Sequence, residues 1–440
     1  MSKPPDNTLS LLRAGKLAGS VRLDLCCGLA EFPREIFELS DSLEILNLSG
    51  NQLSELPADL SRLRKLRILF CSDNQFRHLP AVLGECASLT MVGFKANRIE
   101  TVDDGAFPES LQWLILTDNR IQKLPGTIGG CAGLQKLMLA GNMLEDLPDE
   151  MAACWNLELV RLAANRFHAF PSWLFELPRL SWLGLGGNPW SDRATVDMPS
   201  MEEIDWADLT FGDQLGEGAS GTIHHAHWRT ELESRSVAVK IFKGEMTSDG
   251  LPHTEMTACL AAERHEHLIE VLGKISNHPD ERCALVMSLI DPGFSALAGP
   301  PDFESCTRDV YSEDRSFTPA AVMRMALGLS SVGRHLHERR ILHGDFYAHN
   351  ILWSGAGDFL LGDFGAACVY PGDDRLERIE VRAFGILLGE LLERCAAGKD
   401  DADVMDRLQN LQRRCVTEVA AERPQFARIV DELHGALSAL

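Results

Sequence analysis

The chain has 440 residues, of which 45% are hydrophobic and 24% are charged, and its formal net charge is −22 at pH 7. This length exceeds what one hydrophobic core supports and predicts two domains. The composition is typical of a globular protein and excludes a disordered or membrane-embedded chain. The acidic charge argues against nucleic acid or an anionic membrane as the main partner.

The N-terminus and the cysteines indicate the compartment. The segment from Met1 to Leu17 is polar and lacks the apolar core of a secretory signal. No later run reaches the roughly 20 apolar residues that a membrane helix needs. The twelve cysteines are scattered and form no Cys-x-x-Cys pair. We therefore expect a cytoplasmic protein whose thiols are reduced and mostly buried.

A repeat runs through the first half of the chain. The segment Leu-x-Leu-x-x-Asn, or a close variant of it, recurs every 23 residues with one step of 22. It ends at Asn51, Asn74, Asn97, Asn119, Asn142, Asn165 and Asn188. This pattern resembles the leucine-rich-repeat family over about residues 18–190. The resemblance implies an α/β solenoid in which leucines form a continuous core and each asparagine amide satisfies backbone groups of a turn.

The strand residues that flank each inward leucine are expected on the concave face of the solenoid. Two columns of them are apolar and include Phe70, Trp113, Ile115, Met138 and Trp182. Contiguous apolar patches with aromatic and methionine side chains usually mark binding surfaces. We expect a protein or peptide partner there. The alternatives are that these side chains pack on the second domain or contact no partner.

An acidic stretch at 191–207 is interpreted as a linker, and the second domain is expected at 208–440. It opens with Gly216-x-Gly218-x-x-Gly221, whose glycines let backbone amides approach phosphate oxygens. The same glycine motif occurs in dinucleotide-binding folds, where it precedes a helix. Here it continues into the strand-like run that ends at Lys240, which favours a strand–loop–strand phosphate site.

Two further motifs follow, His343-Gly344-Asp345 with Asn350, and Asp363-Phe364-Gly365. In this order the four motifs resemble the protein-kinase superfamily over about residues 208–438. The resemblance implies a bilobal α+β domain that uses ATP and Mg²⁺, with Asp345 as the catalytic aspartate and Asn350 and Asp363 as metal ligands. It implies that Lys240 holds the α- and β-phosphates. The implied nucleotide site comprises Leu215, Gly216, Gly218, Ser220, Gly221, Ile223, Ala238, Lys240, Met287, Ser288, Leu289 and Leu352.

The resemblance also implies ionic partners for Lys240 and Arg423. Glu255 is predicted to pair with Lys240, although its distance to His265-Glu266-His267 is one residue longer than the family suggests. Arg423 matches an arginine that pairs in the family with a glutamate missing here. Its partner is left open.

Two segments depart from the family pattern. They are the catalytic loop, residues 343–350, and the activation segment, which follows Asp363. Gly344 replaces an arginine that meets a phosphorylated activation loop, and Tyr347 replaces a lysine. Only 17 residues separate Asp363 from Glu380, which stands in place of the usual aspartate, and Tyr370 is the one hydroxyl among the residues between them. We therefore predict activity without phosphorylation of this segment.

The leading functional hypothesis is a serine/threonine-directed protein kinase whose repeats recruit the substrate. A small-molecule kinase of the aminoglycoside- or choline-kinase type is one alternative, because His-Gly-Asp with an asparagine five residues after the aspartate also resembles those enzymes. A scaffold whose second domain binds nucleotide without catalysis is the other.

Overall fold

The computed structural model describes residues 7–194, 201–230, 233–244, 246–247, 249–355, 357–398 and 401–437, the side chains of 436 and 437 excepted. The chain divides into two compact units, Met1–Leu177 and Pro178–Leu440. The strand of the last repeat thus belongs to the second unit. The domain bounds 18–190, 191–207 and 208–440 stay predictions, and residues 195–200 of the expected linker lie outside the described residues.

The first unit alternates short strands with 3-10 helices. Its α-helix and strands are α1 (Asn7–Arg13), β1 (Arg22–Asp24), β2 (Ile45–Asn47), β3 (Ile68–Phe70), β4 (His78–Leu79), β5 (Met91–Gly93), β6 (Thr101–Val102), β7 (Trp113–Ile115), β8 (Lys136–Met138) and β9 (Leu159–Arg161). Its 3-10 helices are Arg34–Leu39, Leu60–Arg62, Ala81–Glu85, Gly126–Gly130, Asp149–Ala153 and Ser172–Glu176. The strands β1, β2, β3, β5, β7, β8 and β9 pair in parallel in this order, and β4 pairs with β6. The predicted leucine-rich-repeat solenoid is confirmed.

The repeated asparagines explain the period. Asn51 Nδ2 donates to the carbonyl oxygens of Leu25 (2.7 Å) and Leu48 (2.8 Å), and its Oδ1 accepts from the Leu29 amide (2.9 Å). The same three-way arrangement recurs at Asn74 and Asn165. Buried peptide groups need partners. Each buried asparagine therefore ties successive repeats together, and an apolar residue in its place would leave several peptide groups unsatisfied.

The side chains expected on the concave face pack on one another. Phe70, Trp113, Ile115 and Met138 are all partly buried. The Trp113 indole N–H donates to Met138 Sδ at 3.4 Å, and Lys136 Nζ lies 4.0 Å from the Trp113 ring centroid. These contacts between neighbouring repeats leave less exposed apolar area than the sequence suggests.

The second unit places most of its strands before its long helices. Its strands and α-helices are β10 (Trp182–Gly184), β11 (Glu202–Asp205), β12 (Leu209–Glu217), β13 (Gly221–Arg229), β14 (Ser234–Phe242), α2 (Pro252–Ala261), β15 (Val271–Ser276), β16 (Ala284–Ser288), β17 (Ser295–Ala296), α3 (Pro319–Glu338), β18 (Ile341–Leu342), β19 (Ile351–Trp353), β20 (Phe359–Leu361), β21 (Cys368–Val369), α4 (Asp374–Glu393), α5 (Ala402–Cys415) and α6 (Phe426–Leu437). Its 3-10 helices are Ser191–Arg193, Trp206–Asp208, Ala348–Asn350 and Ala420–Glu422.

A six-stranded sheet with the order β11-β15-β16-β14-β13-β12 forms the first part of the unit. The strand β11 consists of residues that the sequence analysis assigned to the linker. Ile204 of β11 is 2% exposed and packs in the core of the sheet, while Glu203 pairs with Lys274 at 2.6 Å. One buried isoleucine among acidic residues is too weak a signal to predict a strand, but pairing with β15 supplies the missing backbone partners.

Helices form most of the rest of the unit. The helix α3 starts with Pro319, and the hydroxyl of its N-cap Thr318 accepts from the Ala321 amide at 3.2 Å, which satisfies an end group that a helix leaves unpaired. The buried side of α3 contacts α4 and α6. None of the helices in the described part of the chain is both long and apolar enough to cross a bilayer. The sheet followed by helices confirms the predicted α+β class.

The position of Trp182 corrects the prediction that this side chain faces a partner. Trp182 is 1% exposed, and its ring stacks on that of Tyr347 with centroids 4.1 Å apart and an angle of 7° between the planes. Its indole N–H donates to the carbonyl oxygen of Phe346 at 3.2 Å. The sequence columns did not reveal this burial, because the contact joins residues more than 160 positions apart.

Candidate active site

The glycine-rich turn between β12 and β13 is open above two of its three glycines. A Cβ on Gly216 or Gly218 would meet no atom of the described residues within 4 Å, whereas one on Gly221 would lie 2.5 Å from a carbonyl oxygen of β14. Gly221 is therefore required by the close approach of two strands, and the other two leave backbone accessible to a ligand. The turn is held by the Gly218 amide donating to the Gly221 carbonyl (2.9 Å) and the Lys243 amide donating to the Ser220 carbonyl (2.9 Å).

An ion pair joins β14 to α2. The ammonium group of Lys240 contacts the carboxylate of Glu255, with side chains 15% and 3% exposed. Burial lowers the pKa of Lys240, but the neighbouring charges of Glu255 and Asp363 outweigh it, so that the net pKa is raised. Lys240 stays a cation at neutral pH. The pair predicted from the sequence is present despite the extra residue in the spacing.

The catalytic aspartate predicted from the sequence is held by the predicted metal ligand. Asn350 Nδ2 donates to the Asp345 carbonyl oxygen (3.0 Å) and to its carboxylate Oδ2 (2.8 Å). Asp363 follows β20 with φ of +49°, and its Oδ1 accepts from the Gly365 amide at 3.1 Å. Both aspartates act electrostatically on His349, and Asp363 also acts on Lys240. The structure thus brings four predicted residues close together, namely Lys240, Asp345, Asn350 and Asp363.

A cavity of about 90 Å³ adjoins this group. Five of the predicted site residues line it, namely Ile223, Lys240, Glu255, Met287 and Asp363. The sequence analysis missed its other lining residues, which are Cys259, Ala262, Glu263, Leu268, Ile269, Val271, Leu285, Gly362 and Phe364. This volume is below the roughly 300–1,000 Å³ of typical ligand pockets. The cavity by itself is therefore too small to hold a whole nucleotide.

The remaining predicted adenine contacts do not line this cavity. Ala238 is buried and lies opposite Met287 in the sheet register. Leu352 is partly buried in β19, and Leu215 and Leu289 are 52% and 37% exposed. The hydroxyl of Ser288 is already used within the protein, because it donates to Glu270 Oε2 at 2.9 Å. Their contact with a nucleotide stays a prediction.

The donor groups present fit a polyphosphate with magnesium. Asn350 uses its amide nitrogen for Asp345, which leaves its side-chain carbonyl oxygen as a hard oxygen donor. The carboxylate of Asp363 offers further oxygen atoms, and Mg²⁺ prefers such ligands. The open turn at Gly216 and Gly218 provides the kind of cradle that backbone amides offer to phosphate oxygens. Lys240 would hold the α- and β-phosphates, and Asn350 and Asp363 the metal.

Glu380 of α4 supports the catalytic loop. Its Oε1 accepts from the Gly344 amide at 2.5 Å, its Oε2 lies 2.7 Å from His337 Nε2, and the residue is 1% exposed. Gly344 has φ of +75°, and a Cβ there would lie 2.7 Å from the Leu183 carbonyl oxygen and 2.9 Å from that of Ala366. The arginine of the family pattern therefore does not fit at this position.

The short segment after Asp363 is folded against this loop. Its strand β21 pairs with β18, and Tyr370 is 4% exposed with its hydroxyl 2.9 Å from His337 Nδ1. Burial and nearby carboxylates raise the pKa of Tyr370. The one hydroxyl of the segment is thus enclosed and already hydrogen-bonded.

The buried Arg423 has backbone partners. Its guanidinium donates to the carbonyl oxygens of Thr417 (2.9 Å), Arg378 (3.2 Å), Pro178 (2.8 Å) and Glu418 (3.5 Å). Burial lowers the pKa of Arg423 to about 9. Four carbonyl dipoles therefore take the place of the carboxylate that the family pattern provides.

A buried carboxylate next to the catalytic loop was not predicted. Asp309 has a side chain that is 0% exposed; its Oδ1 lies 2.6 Å from His349 Nδ1 and its Oδ2 accepts from the His349 amide at 3.0 Å. Burial lowers the pKa of His349, but the bond to Asp309 and the surrounding acidic charges raise it more. Asp309 lies 40 residues before its partner, in a stretch without a local motif.

Replacing Glu255 by glutamine is expected to destabilise the second unit by about 2 kcal/mol. This is less than the ~3–5 kcal/mol for breaking a buried pair, because the amide oxygen still accepts from Lys240 and Asp363 remains nearby. Urea unfolding measures the change. The matched control is Glu203→Gln, whose partner Lys274 is 45% exposed, and a surface pair of this kind contributes under about 1 kcal/mol. If the two substitutions lowered the free energy of unfolding equally, the buried pair of Glu255 with Lys240 would not stabilise the second unit more than a surface pair does.

Comparison with known families agrees with this geometry. A family model described as protein tyrosine and serine/threonine kinase matches residues 209–382. Two models described as leucine rich repeat match residues 42–63 and 87–144. The matched ranges contain β2 and β5–β8 of the first unit. They also contain the glycine-rich turn, the ion pair and the catalytic loop of the second unit.

Individual relatives are kinases of low identity. Cyclin-dependent kinase 11B of Mus musculus is 27% identical over 161 residues, 36% of this chain and 19% of that protein. A probable serine/threonine-protein kinase of Dictyostelium discoideum is 23% identical over 294 residues, 57% of this chain and 46% of that protein. A leaf rust 10 disease-resistance locus receptor-like protein kinase-like protein of Arabidopsis thaliana is 26% identical over 242 residues, 49% of this chain and 32% of that protein. The chain spans less than half the length of each of these three relatives. It is a leucine-rich-repeat protein that carries a protein tyrosine and serine/threonine kinase domain behind its repeats.

Proposed function

We propose that the chain is an ATP-dependent protein kinase that phosphorylates serine or threonine hydroxyls without needing phosphorylation of its own activation segment. The observation that carries this proposal is the ion pair of Lys240 with Glu255 beside Asp363, next to a catalytic loop in which Asn350 holds Asp345. Phosphoryl transfer depends mainly on positioning and on electrostatic stabilisation. These residues supply both.

Each residue has a defined task in the proposed reaction. Asp345 aligns the acceptor hydroxyl and accepts its proton, and the hydrogen bond from Asn350 fixes the carboxylate for this role. Lys240, kept charged by Glu255, orients the α- and β-phosphates. Magnesium-bound ATP, when present, supplies the phosphoryl group, and the cation neutralises the charge that develops on its oxygens.

The enclosed activation segment supports the absence of a phospho-switch. A switch of this kind needs an accessible hydroxyl and an arginine that binds the phosphate. Tyr370 is buried and bonded to His337, and the space at Gly344 is occupied by two carbonyl oxygens. We propose that the loop is active as synthesised.

A transfer assay distinguishes the possible activities. The full chain is incubated with γ-labelled ATP and Mg²⁺ in pooled cellular protein, beside the Asp345→Ala variant. Labelled protein bands that disappear with the variant support the proposal, and phosphoserine or phosphothreonine in their hydrolysates supports the acceptor. Label only in soluble products would instead favour a small-molecule kinase, and nucleotide binding without any transfer a scaffold.

We also propose that the repeats recruit the substrate through the patch of Phe70, Trp113, Ile115 and Met138. Replacing Phe70 and Trp113 together by alanine is expected to lower phosphorylation of the natural substrate at least tenfold, because aromatic anchors dominate binding. Hydrolysis of ATP without substrate should stay unchanged. The control is Trp155→Ala, which removes a tryptophan that is 67% exposed. Equal phosphorylation by both variants, with intact circular dichroism, would refute recruitment by this patch.

A further inference from the structure

One five-residue segment, Trp182 to Gly186, contacts three separate parts of the predicted active site. The first contact is with the catalytic loop. The Trp182 ring stacks on Tyr347, two residues after Asp345, and its indole N–H donates to the intervening Phe346 carbonyl. A stacked, buried aromatic pair with an additional hydrogen bond fixes both the position and the rotation of this loop.

The second and third contacts extend to the activation segment and to the helix of the ion pair. The carbonyl oxygen of Leu183 occupies the space where Gly344 would carry a side chain. A Cβ on Gly186 would overlap Thr254 Cγ2 and lie 3.0 Å from Cys368 Cβ. Thr254 directly precedes Glu255 in α2, and Cys368 lies in β21. The segment therefore packs between the helix that carries Glu255 and the strand that follows Asp363.

We propose that the segment 182–186, defined here as the brace, holds the catalytic loop, the activation segment and α2 in the arrangement for phosphoryl transfer. Trp182 and Gly186 are its positioning residues. The inference rests on the proposed kinase function and explains how the site is fixed without a phosphate. A phosphorylated loop and an arginine are replaced by a permanent contact from the end of the repeat sequence.

The brace predicts a specific pattern of variant effects. Trp182→Ala removes the stack and the hydrogen bond, and is expected to lower kcat for transfer on the order of 10- to 100-fold, as displacements near 1 Å do. Binding of ADP, measured by calorimetry, is expected to change less than about threefold. Trp182→Phe keeps a ring but lacks the N–H, so its kcat should lie between those of Trp182→Ala and the parent. Hydrogen exchange of amides 343–350 should be faster in Trp182→Phe than in the parent, and fastest in Trp182→Ala. Trp155→Ala, at an exposed tryptophan, is the control and should change none of these quantities.

A second pair of variants tests the contact with α2. Gly186→Ala places a methyl group against Thr254 and is expected to lower kcat and to accelerate exchange in α2. Thr254→Ser removes the obstructing methyl group. The double variant Gly186→Ala/Thr254→Ser is therefore expected to recover part of the lost rate, which would attribute the loss to the contact between residues 186 and 254.

The outcomes separate the brace from the proposed function. Should Trp182→Ala not fold, Trp182→Phe and the Gly186 series decide in its place. If the folded variants keep the kcat and the hydrogen-exchange rates of the parent protein, the brace is wrong. The kinase proposal is unaffected by that result. A parent protein that binds ADP but transfers no phosphate overturns the kinase proposal, and with it the catalytic purpose of the brace. In that case exchange alone reports whether Trp182 fixes the loop.

Discussion

The variant Asp345→Asn is expected to transfer phosphate roughly 10³-fold more slowly than the parent protein while binding ADP with similar affinity. The amide has nearly the same shape as the carboxylate but does not accept the proton of the acceptor hydroxyl, and positioned general bases contribute about 10²–10⁴-fold. Asn350 already donates to both the carbonyl and the carboxylate oxygens of Asp345, so the loop geometry is expected to persist. Single-turnover transfer and calorimetry with ADP measure the two quantities.

The control for this prediction is Asp358→Asn, which removes the same charge from an exposed aspartate in the turn between β19 and β20. It is expected to retain the parental rate. A fall in rate of equal size for both variants would indicate a general charge effect. Full transfer by Asp345→Asn would exclude Asp345 as the catalytic aspartate, whatever its likeness to the family motif.

Residues close together in the sequence, or joined by a recurring period, were predictable. The repeat asparagines follow from a 23-residue spacing, and their hydrogen bonds join neighbouring repeats. The loop from Asp345 to Asn350 is short enough for its motif to specify its geometry. The pair of Lys240 with Glu255 was implied by the resemblance to the protein-kinase superfamily, even though the spacing is atypical.

Contacts between distant segments were not predictable, because no local pattern records them. Trp182 reads as one more member of an apolar column, yet it is buried against Tyr347. Asp309 lies in an irregular stretch, yet it holds His349 beside the catalytic loop. Gly344 was visible as a departure from the family, but its cause, the approach of two carbonyl oxygens, became clear only from the structure.

The glutamate below the catalytic loop leads to the largest expected loss of stability. Glu380→Ala removes the acceptor for the buried Gly344 amide and the partner of His337, whose side chain is 5% exposed. Each buried group that loses its hydrogen-bond partner costs about 1–3 kcal/mol, so the two groups left unsatisfied cost about 3–5 kcal/mol together. We expect the thermal transition of the second unit to fall on the order of 10 °C.

A graded series isolates the cause of this loss. Glu380→Gln keeps an oxygen for the Gly344 amide and is expected to lose about 1–2 kcal/mol. The matched control Glu393→Ala removes a carboxylate from the same helix, where the side chain is 76% exposed, and should change stability by under about 0.5 kcal/mol. Differential scanning calorimetry of the full chain ranks the three variants by the temperature at which the second unit unfolds. If Glu380→Ala and Glu393→Ala unfolded at the same temperature, the Gly344 amide would have to be satisfied by another group, and α4 would not be the support of the catalytic loop.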